Sequence, residues 1–592
     1  MQADTRLANG TEKQTDWNAI DWRKANRAVR NLRQRIFRAT QEGNLKKARS
    51  LQKLMLKSYS NRLISVRRVT QMNAGKNTPG VDKLVIKTPA ARGRMVDLLA
   101  QYSCWKAKPT RRIYIPKANN TSRPLGIPVV MDRCLQAMVK NALEPAWEAK
   151  FEGASYGFRP GRSCHDALEK IYGLARPNKT KKWILDADIK GAFDAISHEY
   201  LLKTIGPVPG KELIKQWLKA GYIEKEVLHA TEQGTPQGGV VSPLLLNVAL
   251  HGMETALNIK YNCRGELIGK RAVVRYADDF VCFCETRKDA ERAQGILTDW
   301  LKERGLTLSE EKTRIVHLTE GFDFLGFNVR LYPTPHTSRT GWKLLIKPSK
   351  ESVQQVRKKL KSLWEKAQGT NVQAVVGKLN PVIRGWANYF RIAVAKETFS
   401  SLDKWMYQKE DHYTRHAHPR KAQSWRHQRY WGQLHLERKD SWVFGDKQTG
   451  AYLLKFSWFP IERHTLVKGT ASPDDPSLKS YWMERQAAKA KDLTFSKQKL
   501  AKRQHGQCPQ CGESLFNEEE LQVHHLHARA QGGKNSYSNL VLVHLLCHQH
   551  IHAASKQAVN DCQECNKQGF LAEERKTASR AKRKEEKEPC CS

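Results

Sequence analysis

Apolar residues recur every three or four positions near the N-terminus and again after residue 342, which is the spacing of one face of an α-helix. The first series predicts one helix, and a second series predicts another after a break at Gly43. The two series are Ala25, Val29, Leu32 and Ile36, and Leu51, Met55, Leu63 and Val66. Further helices are predicted over residues 244–257, 290–304, 352–368, 372–386 and 399–413.

A different pattern, short runs of Val, Ile, Phe and Tyr beside acids, occurs in the middle of the chain. Between Arg271 and Glu285 two such runs flank Asp278 and Asp279, which predicts two buried strands and a tight turn that carries the carboxylates. A third run, residues 183–189, contains Asp186 and Asp188, which lie on the same face of a strand. A carboxylate in a buried strand needs a partner or a metal ion. An isolated Asp-Asp pair is also common in ordinary hairpin turns, and spacing does not choose between Asp186 and Asp188.

Composition limits the classes of partner. The 592 residues exceed what one hydrophobic core holds, so two to four domains are expected. Lysine and arginine number 102 against 59 acids, a net charge of +43, which favours a polyanion and above all nucleic acid. Apolar runs fall short of the ~18 residues of a membrane span, and no signal or transit peptide is recognised, so a soluble, cytoplasmic protein without a membrane partner is expected.

Basic residues are concentrated in three places that could contact phosphate. The first predicted helix carries an almost acid-free set that is either a solvated face or a phosphate-binding one: Arg23, Lys24, Arg27, Arg30, Arg33, Arg35 and Arg38. Residues 112–128 predict a two-stranded ribbon with Lys117 and Arg123 near its tip, where they could hold a triphosphate. Residues 155–163 form a Gly- and Arg-rich loop that could approach a phosphate backbone.

Four stretches follow the order found in the palm and fingers of reverse transcriptases. They are Ala-Asp-Ile-Lys-Gly-Ala-Phe-Asp (187–194), Gly-Thr-Pro-Gln-Gly-Gly-Val-Val-Ser-Pro (234–243), Tyr-Ala-Asp-Asp (276–279) and Phe-Leu-Gly-Phe (324–327). With Tyr-Gly-Phe-Arg-Pro (156–160), the chain resembles bacterial group II intron-encoded proteins. The resemblance implies a multidomain α+β fold: a basic helical extension (1–75), right-hand polymerase fingers and palm (76–342), an α-helical thumb or maturase domain (343–411), a basic DNA-binding region (412–500) and a small zinc-stapled ββα-metal (HNH) endonuclease module with a basic tail (501–592).

The resemblance also implies roles for the polymerase residues. Asp188, Asp278 and Asp279 match the catalytic ligands of Mg²⁺, since nucleotidyl transfer uses two such ions held by a few carboxylates and by the substrate. The nucleotide-binding positions match as well: Lys117 and Arg123 at the triphosphate, Phe193 where a 2′-hydroxyl is excluded, and Gln237 and Gly238 beside the nucleotide and template.

The region after residue 342 resembles the part of the family that binds intron RNA. Residues 384–391, Arg-Gly-Trp-Ala-Asn-Tyr-Phe-Arg, match the maturase signature, in which the spacing of Trp386, Tyr389 and Phe390 predicts a helix core. RNA contact is expected instead from a basic surface that includes Arg357, Lys358, Lys359 and Lys361. Aromatic and basic residues alternate over residues 420–431, which is suited to stacking and phosphate contact. The resemblance implies that this region binds DNA. Residues 471–477 predict an exposed turn.

Seven of the thirteen cysteines lie after residue 507, and no secretory signal is recognised, which favours a metal site over disulfide bonds. Two pairs with two intervening residues, Cys508 with Cys511 and His544 with Cys547, predict a tetrahedral Zn²⁺ site. The residues between and beside them resemble an HNH nuclease. That resemblance implies His525 as the general base, His524 and His548 as ligands of a divalent ion, and Asn539 as the residue that orients the hairpin and the base. The alternative is a zinc-stapled DNA-binding knuckle that does not cleave.

The resemblance as a whole implies one multifunctional enzyme. Its expected activities are RNA-directed DNA synthesis, splicing support (maturase activity) and site-specific DNA cleavage, combined in intron retrohoming by target-primed reverse transcription. The implied partners are the group II intron RNA in a ribonucleoprotein, target DNA, an RNA template with a DNA primer, and dNTPs. A bacterial cytoplasmic protein that joins the nucleoid at its DNA target is expected. The alternatives are a maturase with inactive enzymatic sites and the reverse transcriptase of a non-intron retroelement.

Overall fold

A computed structural model of the chain describes residues 14–116, 122–335, 340–435, 437–517 and 519–553. These residues form two units, each assembled from segments that are distant in sequence. The first unit contains Met1–Lys150, Phe193–Val248 and Ser472–Ser592, and the second contains Phe151–Ala192 and Ala249–Ala471. Lys117, Cys562, Cys565, Cys590, Cys591 and the predicted basic tail lie outside the described residues. None of the helices in the described ranges has the length and apolar character needed to cross a bilayer.

Helices account for most of the regular structure. In chain order the α-helices are α1 (Trp22–Gln41), α2 (Leu45–Lys57), α3 (Tyr59–Arg67), α4 (Pro89–Leu98), α5 (Val130–Glu148), α6 (Cys164–Ala175), α7 (Ala192–Ala195), α8 (His198–Ile205), α9 (Lys211–Lys219), α10 (Ser242–Ala249), α11 (Met253–Ala256), α12 (Arg287–Lys302), α13 (Lys350–Glu365), α14 (Val372–Phe390), α15 (Lys396–Ala417), α16 (Gln423–Tyr430), α17 (Lys479–Ala487) and α18 (Phe495–Arg503). A π-helical turn, Arg68–Met72, extends α3, and short 3₁₀ segments are Ala74–Asn77, Leu99–Cys104, Phe456–Trp458, Pro476–Leu478, Ala488–Asp492, Arg529–Gln531 and Tyr537–Asn539.

The strands are short and belong to separate sheets. They are β1 (Thr110–Pro116), β2 (Ser122–Ile127), β3 (Trp183–Asp188), β4 (Tyr222–Glu224), β5 (Val227–His229), β6 (Lys260–Tyr261), β7 (Leu267–Ile268), β8 (Ala272–Tyr276), β9 (Asp279–Cys284), β10 (Arg314–His317), β11 (Phe322–Phe324), β12 (Phe327–Pro333), β13 (Trp342–Pro348), β14 (Trp431–Gly432), β15 (Val443–Asp446), β16 (Ala451–Tyr452), β17 (Leu521–His525) and β18 (Leu540–His544). Helical structure follows β18 over residues 545–553.

The N-terminal apolar series is confirmed as the buried face of α1, because Ala25, Val29, Leu32 and Ile36 are all buried. The second series was predicted as one helix and is divided between α2 and α3. Ser58 causes the division, since its side chain accepts a hydrogen bond from the Asn61 backbone N–H and caps α3. The predicted apolar helix over residues 244–257 is likewise two helices, α10 and α11, with Gly252 at φ +95° before the second.

The basic face of α1 is only partly available for phosphate. Arg33 is half-buried in the first unit, where its guanidinium pairs with Glu144 at 2.9 Å and with Asp474 at 2.7 Å. The prediction of an exposed turn at residues 471–477 is wrong, because Ser472 and Asp474 are buried. The buried carboxylate of Asp474 requires a partner of opposite charge, and that partner, Arg33, is 441 residues away in sequence.

Two four-stranded sheets carry the candidate polymerase residues. In the first unit the strand order is β2-β1-β4-β5, so the predicted basic ribbon is confirmed as the β1–β2 pair. In the second unit the order is β10-β3-β9-β8, with every neighbouring pair antiparallel. The strands β8 and β9 confirm the predicted acidic hairpin, and α6 and α12 pack on this sheet. The register opposes Asp188 at the end of β3 to Asp279 at the start of β9.

The three helices predicted after residue 350 are confirmed as α13, α14 and α15. Their core is aromatic: the ring of Trp386 lies 4.3 Å from that of Phe390 and 5.6 Å from that of Phe456. Tyr430 and Trp431, predicted to stack on DNA, are instead buried within the second unit. Tyr430 ends α16, where the same alternation of aromatic and basic residues also produces one buried and one exposed helix face, and Trp431 begins β14.

Glu410 in α15 is a buried acid whose ionisation should oppose folding. Its Oε2 accepts a hydrogen bond from Trp431 Nε1 at 3.1 Å, and it is 8% exposed. Burial raises the pKa of Glu410 from 4.5 to about 8, although Trp431 and Lys455 favour the charged form, and Asp403 raises this pKa further. Since the folded-state pKa lies above that of the unfolded chain, stability should fall by about 1.4 kcal/mol per pH unit between those values.

Glu410→Gln should remove this pH dependence, because a glutamine oxygen still accepts the Trp431 hydrogen bond and carries no charge. We expect wild type and variant to denature alike near pH 5, and the variant to be more stable at pH 8. Urea denaturation followed by tryptophan fluorescence at both pH values measures the difference. Glu397→Gln, at an exposed glutamate of α15, is the control and should change little. Equal stability of Glu410→Gln and wild type at pH 8 would contradict the prediction.

Candidate functional site

Three carboxylates converge at one end of the second unit's sheet. Asp188 ends β3, Asp279 begins β9 directly opposite it, and Asp278 precedes Asp279 in the β8–β9 turn. The turn depends on Ala277, which has φ +59°, a conformation that alanine rarely adopts. Asp188 and Asp279 line a cavity of about 350 Å³. The structure therefore brings together the two acidic stretches that the sequence separates by ninety residues.

The charge at this site is concentrated enough to attract a cation. Desolvation by the surrounding protein, followed by repulsion from Asp278 and Asp188, raises the pKa of Asp279 to about 7. The ammonium of Lys312 forms an ion pair with Asp188 Oδ2. Lys312 was not among the predicted site residues. Its positive charge, which can pair with a clustered acid, is the signal in the sequence that could have identified it. Clustered carboxylate oxygens are also the ligands that Mg²⁺ prefers, so the residues present fit such an ion.

Asp186 lies in the same cavity but has a protein partner. Arg314 Nε donates to Asp186 Oδ2 at 3.0 Å, from the neighbouring strand β10. Burial raises the pKa of Asp186 to about 6, with Arg314 acting in the opposite direction. The sequence left Asp186 and Asp188 open as alternatives. The structure separates them, because Asp188 is the one placed beside Asp279.

A buried arginine donates a hydrogen bond to the turn that carries Asp278 and Asp279. Arg275 is 2% exposed, and its guanidinium donates to Ala277 O at 3.1 Å and to Ser155 Oγ at 2.7 Å. Gly157 is required at this point, since a Cβ atom there would lie 2.3 Å from the Ala277 nitrogen. The Gly/Arg-rich loop therefore holds the acidic turn in place. This structural role accounts for the glycine and arginine residues of the loop, and no contact with phosphate is needed to explain them.

The two arginines of that loop were predicted to approach phosphate, and this prediction is wrong for both. Arg159 is buried and donates to the backbone oxygens of Glu152 at 2.7 Å and Ser155 at 2.9 Å. Arg162 is buried as well and donates to Gly153 O at 2.8 Å. Buried guanidinium groups need acceptors, and bent loops supply unpaired carbonyl oxygens.

The predicted nucleotide-binding residues other than Lys117 lie within the first unit. Arg123 Nε donates to Gln237 Oε1 at 2.7 Å, and Gln237 Nε2 donates to Asp194 Oδ2 at 2.9 Å. Asp194 and Gln237 line a cavity of about 300 Å³. Phe193 is buried, and its backbone oxygen accepts from the Thr235 N–H. Asp194 was not predicted as a site residue, and its contact with Gln237 is the signal that identifies it.

Gly238 occupies a position that only glycine fits. Its φ is +115°, and a Cβ atom would lie 2.6 Å from the Gly126 oxygen in β2. The Gly/Pro-rich loop thus approaches the basic ribbon closely, and the Gly126 backbone N–H donates to Gln237 O at 2.7 Å. The predicted pair Gln237 and Gly238 therefore lies against the strand that carries Arg123.

The four predicted zinc ligands form one buried cluster in the first unit. The ligand atoms of Cys508, Cys511, His544 and Cys547 all lie within 4.8 Å of one another. His544 Nε2 contacts Ser514 O at 3.1 Å, while Nδ1 lies 3.4 Å from Cys511 Sγ. Hydrogen bonds from Cys511 and Cys547 lower the pKa of the Cys508 thiol far below its usual range. Three sulfurs and one imidazole nitrogen, gathered in a buried cluster, are a donor set that suits Zn²⁺.

A second cluster contains three histidines. His524 of β17 and His548 lie beside a third histidine, His552, which was not predicted as a site residue. The ligand atoms of all three lie within 4.8 Å of one another. The spacing of His548 and His552, one helical turn, is the signal that could have found it. Burial, then the neighbouring histidines, lowers the pKa of His524 and His548 and favours the neutral imidazole that binds metal.

His525 follows His524 in β17, and adjacent side chains of a strand point to opposite faces. Its Nε2 contacts Asn535 Oδ1 at 2.7 Å, so the residue that touches the predicted base is Asn535. Asn539 holds the intervening loop instead: its side chain accepts from the His527 N–H at 2.7 Å and donates to Lys534 O at 2.9 Å. Asn539 therefore orients the hairpin, and Asn535 contacts the base.

Four family models match successive parts of the chain. They are the N-terminal domain of reverse transcriptase (17–99), reverse transcriptase or RNA-dependent DNA polymerase (115–329), the group II intron maturase-specific domain (353–431) and HNH endonuclease (508–554). Each model falls on one of the regions described above. The acids of the second unit lie within the reverse transcriptase match, and both Cys/His clusters lie within the HNH match.

Individual proteins are similar to parts of the chain. Protein YkfC of Escherichia coli (strain K12) is 34% identical over 305 residues, which cover 45% of this chain and 79% of that protein. The group II intron-encoded protein LtrA of Lactococcus lactis subsp. cremoris is 32% identical over 305 residues, which cover 40% of this chain and 49% of LtrA, about half its length. A structure of telomerase from Candida albicans with a fragment of telomeric RNA matches at 14% identity and a TM-score of 0.30, over 53% of this chain and 59% of that one. The chain belongs to the bacterial group II intron-encoded proteins, with reverse transcriptase, maturase and HNH endonuclease domains.

Proposed function

We propose that this protein copies its intron RNA into DNA at a target site that it has itself cut. In this proposal the intron RNA and the protein form a ribonucleoprotein, the HNH module nicks one DNA strand, and the new 3′-hydroxyl primes synthesis by the reverse transcriptase domain. The observation that carries the proposal is the convergence of Asp188, Asp278 and Asp279 in a chain that also gathers His524, His548 and His552.

For polymerisation, Asp188, Asp278 and Asp279 would hold Mg²⁺. The ions would lower the pKa of the primer 3′-hydroxyl and stabilise the charge on the leaving pyrophosphate. Lys312 offers a positive charge at the edge of the acids, and Arg123, held by Gln237, presents a fork that suits a triphosphate. The buried ring of Phe193 fits a role in excluding the ribose 2′-hydroxyl, which makes deoxynucleotides the substrates.

For strand cutting, His524, His548 and His552 would hold a divalent ion against the scissile phosphate. The ion would supply Lewis-acid stabilisation of the developing charge. His525, with one ring nitrogen on Asn535, would take a proton from the attacking water through the other nitrogen. Zn²⁺ in the Cys508, Cys511, His544 and Cys547 cluster would have the separate task of stapling the module together.

Maturase activity would depend on the exposed surface of α13. Lys358, Lys359 and Lys361 are exposed there, whereas Arg357 is half-buried and donates to Ser401 Oγ at 3.1 Å. Exposed lysines on one helix are suited to phosphate contact with folded intron RNA. We place the protein in the bacterial cytoplasm, with the nucleoid as its location when it is bound to a DNA target.

A reconstitution experiment tests the proposal. The purified chain, its intron RNA, a labelled target duplex, dNTPs and Mg²⁺ should yield a nicked strand that is extended by DNA complementary to the intron. Omission of dNTPs should leave the nick without extension, and omission of the intron RNA should remove both products. RNA binding without synthesis or nicking would identify a splicing cofactor with inactive sites. Extension of a supplied primer without nicking would limit the protein to polymerisation and splicing.

A further inference from the structure

The zinc-ligand cluster lies directly against the N-terminal helices. Asn26 Nδ2 of α1 donates to the backbone oxygen of the ligand residue Cys511 at 3.2 Å. The Trp22 ring, at the start of α1, lies 6.2 Å from His550 in an edge-to-face arrangement. Gly512 has φ +70°, and a Cβ atom there would lie 3.2 Å from Arg23 Cγ. All these residues belong to the first unit.

Arg67 forms the most direct link, because it touches a ligand atom. At the end of α3, its Nη2 donates to Cys547 Sγ at 3.3 Å. The same guanidinium lies 4.4 Å from the centre of the Trp22 ring, and Trp22 is itself only 2% exposed. Arg67 is 7% exposed, and no carboxylate in the described parts of the chain forms an ion pair with it. A buried guanidinium therefore has a sulfur atom and a π face as its partners.

Charge explains why an arginine is suited to this place. Three thiolates and one neutral imidazole around Zn²⁺ leave a net charge of −1, and an uncompensated buried charge is costly. A guanidinium at 3.3 Å supplies the opposite charge and an N–H donor for the thiolate lone pair. Groups that donate to metal ligands hold them in place and tune their affinity for the metal. Arg67 supplies this contact from outside the module that contains the four ligands.

We propose that Arg67 is a positioning residue of the zinc centre, and that its contact with Cys547, stacked on Trp22, docks the nuclease module on the N-terminal helices. The inference rests on the zinc site of the proposed function and adds a coupling to it. Zinc retention then depends on α1 and α3, and the packing of these helices depends on zinc.

Arg67→Met in the full chain tests the contact, since methionine fills much of the space without charge or donor. Zinc released to a chromogenic chelator should appear about 10- to 100-fold faster than from wild type. Arg49→Met is the matched control, because Arg49 is an exposed arginine of α2 and its loss changes the net charge equally. Circular dichroism checks folding. Equal release from Arg67→Met and wild type would overturn the proposal.

Hydrogen–deuterium exchange of the wild-type chain tests the docking without any substitution. After zinc removal, exchange should accelerate in α1 and in the end of α3, while α14 in the second unit should keep its rate. Unchanged exchange in α1 and α3 would show that the module is not docked through the metal centre and would overturn the inference. A wild-type chain that binds no zinc would overturn the proposed zinc site as well, so the two failures are distinguishable.

Discussion

Asp279→Asn should abolish DNA synthesis on an RNA template and leave RNA binding and strand nicking unchanged. Asparagine preserves the shape of the side chain but removes a negative charge that faces Asp188 across the β3–β9 pair. A divalent ion loses most of its attraction to the site when one of three carboxylates becomes neutral. Because each ion contributes several kcal/mol to transition-state stabilisation, we expect a fall of at least about 10³-fold in the rate of primer extension.

Asp186→Asn is the matched control for this experiment. It makes the same chemical change in the same cavity, at an acid that lies on β3 two positions before Asp188 and is paired with Arg314. We expect primer extension to fall by less than about 10-fold, since the three proposed metal ligands remain. Extension rates under single-turnover conditions, with electrophoretic mobility shifts for RNA affinity, measure both variants. If Asp186→Asn is the inactive protein and Asp279→Asn synthesises DNA, the assignment of the ligands is wrong.

The elements around this site could be predicted because their signals are local. A short apolar run, two adjacent acids and a second apolar run are enough to indicate the β8–β9 hairpin. The choice between Asp186 and Asp188 could not be made in this way, because both lie on the same face of a strand. Strand register decided it, because β9 places Asp279 opposite Asp188 and β10 places Arg314 opposite Asp186, 128 residues away in sequence. We see the same limit at Arg33, whose partner Asp474 is distant in sequence.

The burial of aromatic side chains was the second property that the sequence predicted wrongly. Tyr430 and Trp431 stand among arginines and lysines, a composition that fits both a nucleic-acid surface and an amphipathic helix. Trp431 is buried because α15 packs against it and supplies Glu410 as the acceptor for Trp431 Nε1.

His552 and Asn535 were not predicted, for a different reason. Their neighbours His548 and Asn539 matched a known motif, and a motif gives no information about residues outside its pattern.

His525→Ala should stop nicking of the DNA target and leave primer extension on a supplied primer intact. The imidazole is the general base in the proposed hydrolysis, and its loss should reduce the nicking rate by about 10²- to 10⁴-fold. In the proposed site His524, His548 and His552 would still hold the divalent ion in this variant, so loss of activity with unchanged metal content would identify a base and not a ligand. Rates come from a labelled duplex, and metal content from elemental analysis of the full chain.

His527→Ala provides the matched control, since His527 is an exposed histidine two positions along the same segment. The Asn539 side chain holds only backbone atoms of His527, so removal of its imidazole should preserve the loop and the nicking rate. Asn535→Ala should give an intermediate loss, because His525 would keep its place on β17 but lose the contact that fixes its ring. Nicking by His525→Ala at the wild-type rate would require another base. Equal losses in His525→Ala and His527→Ala would instead indicate disruption of the loop.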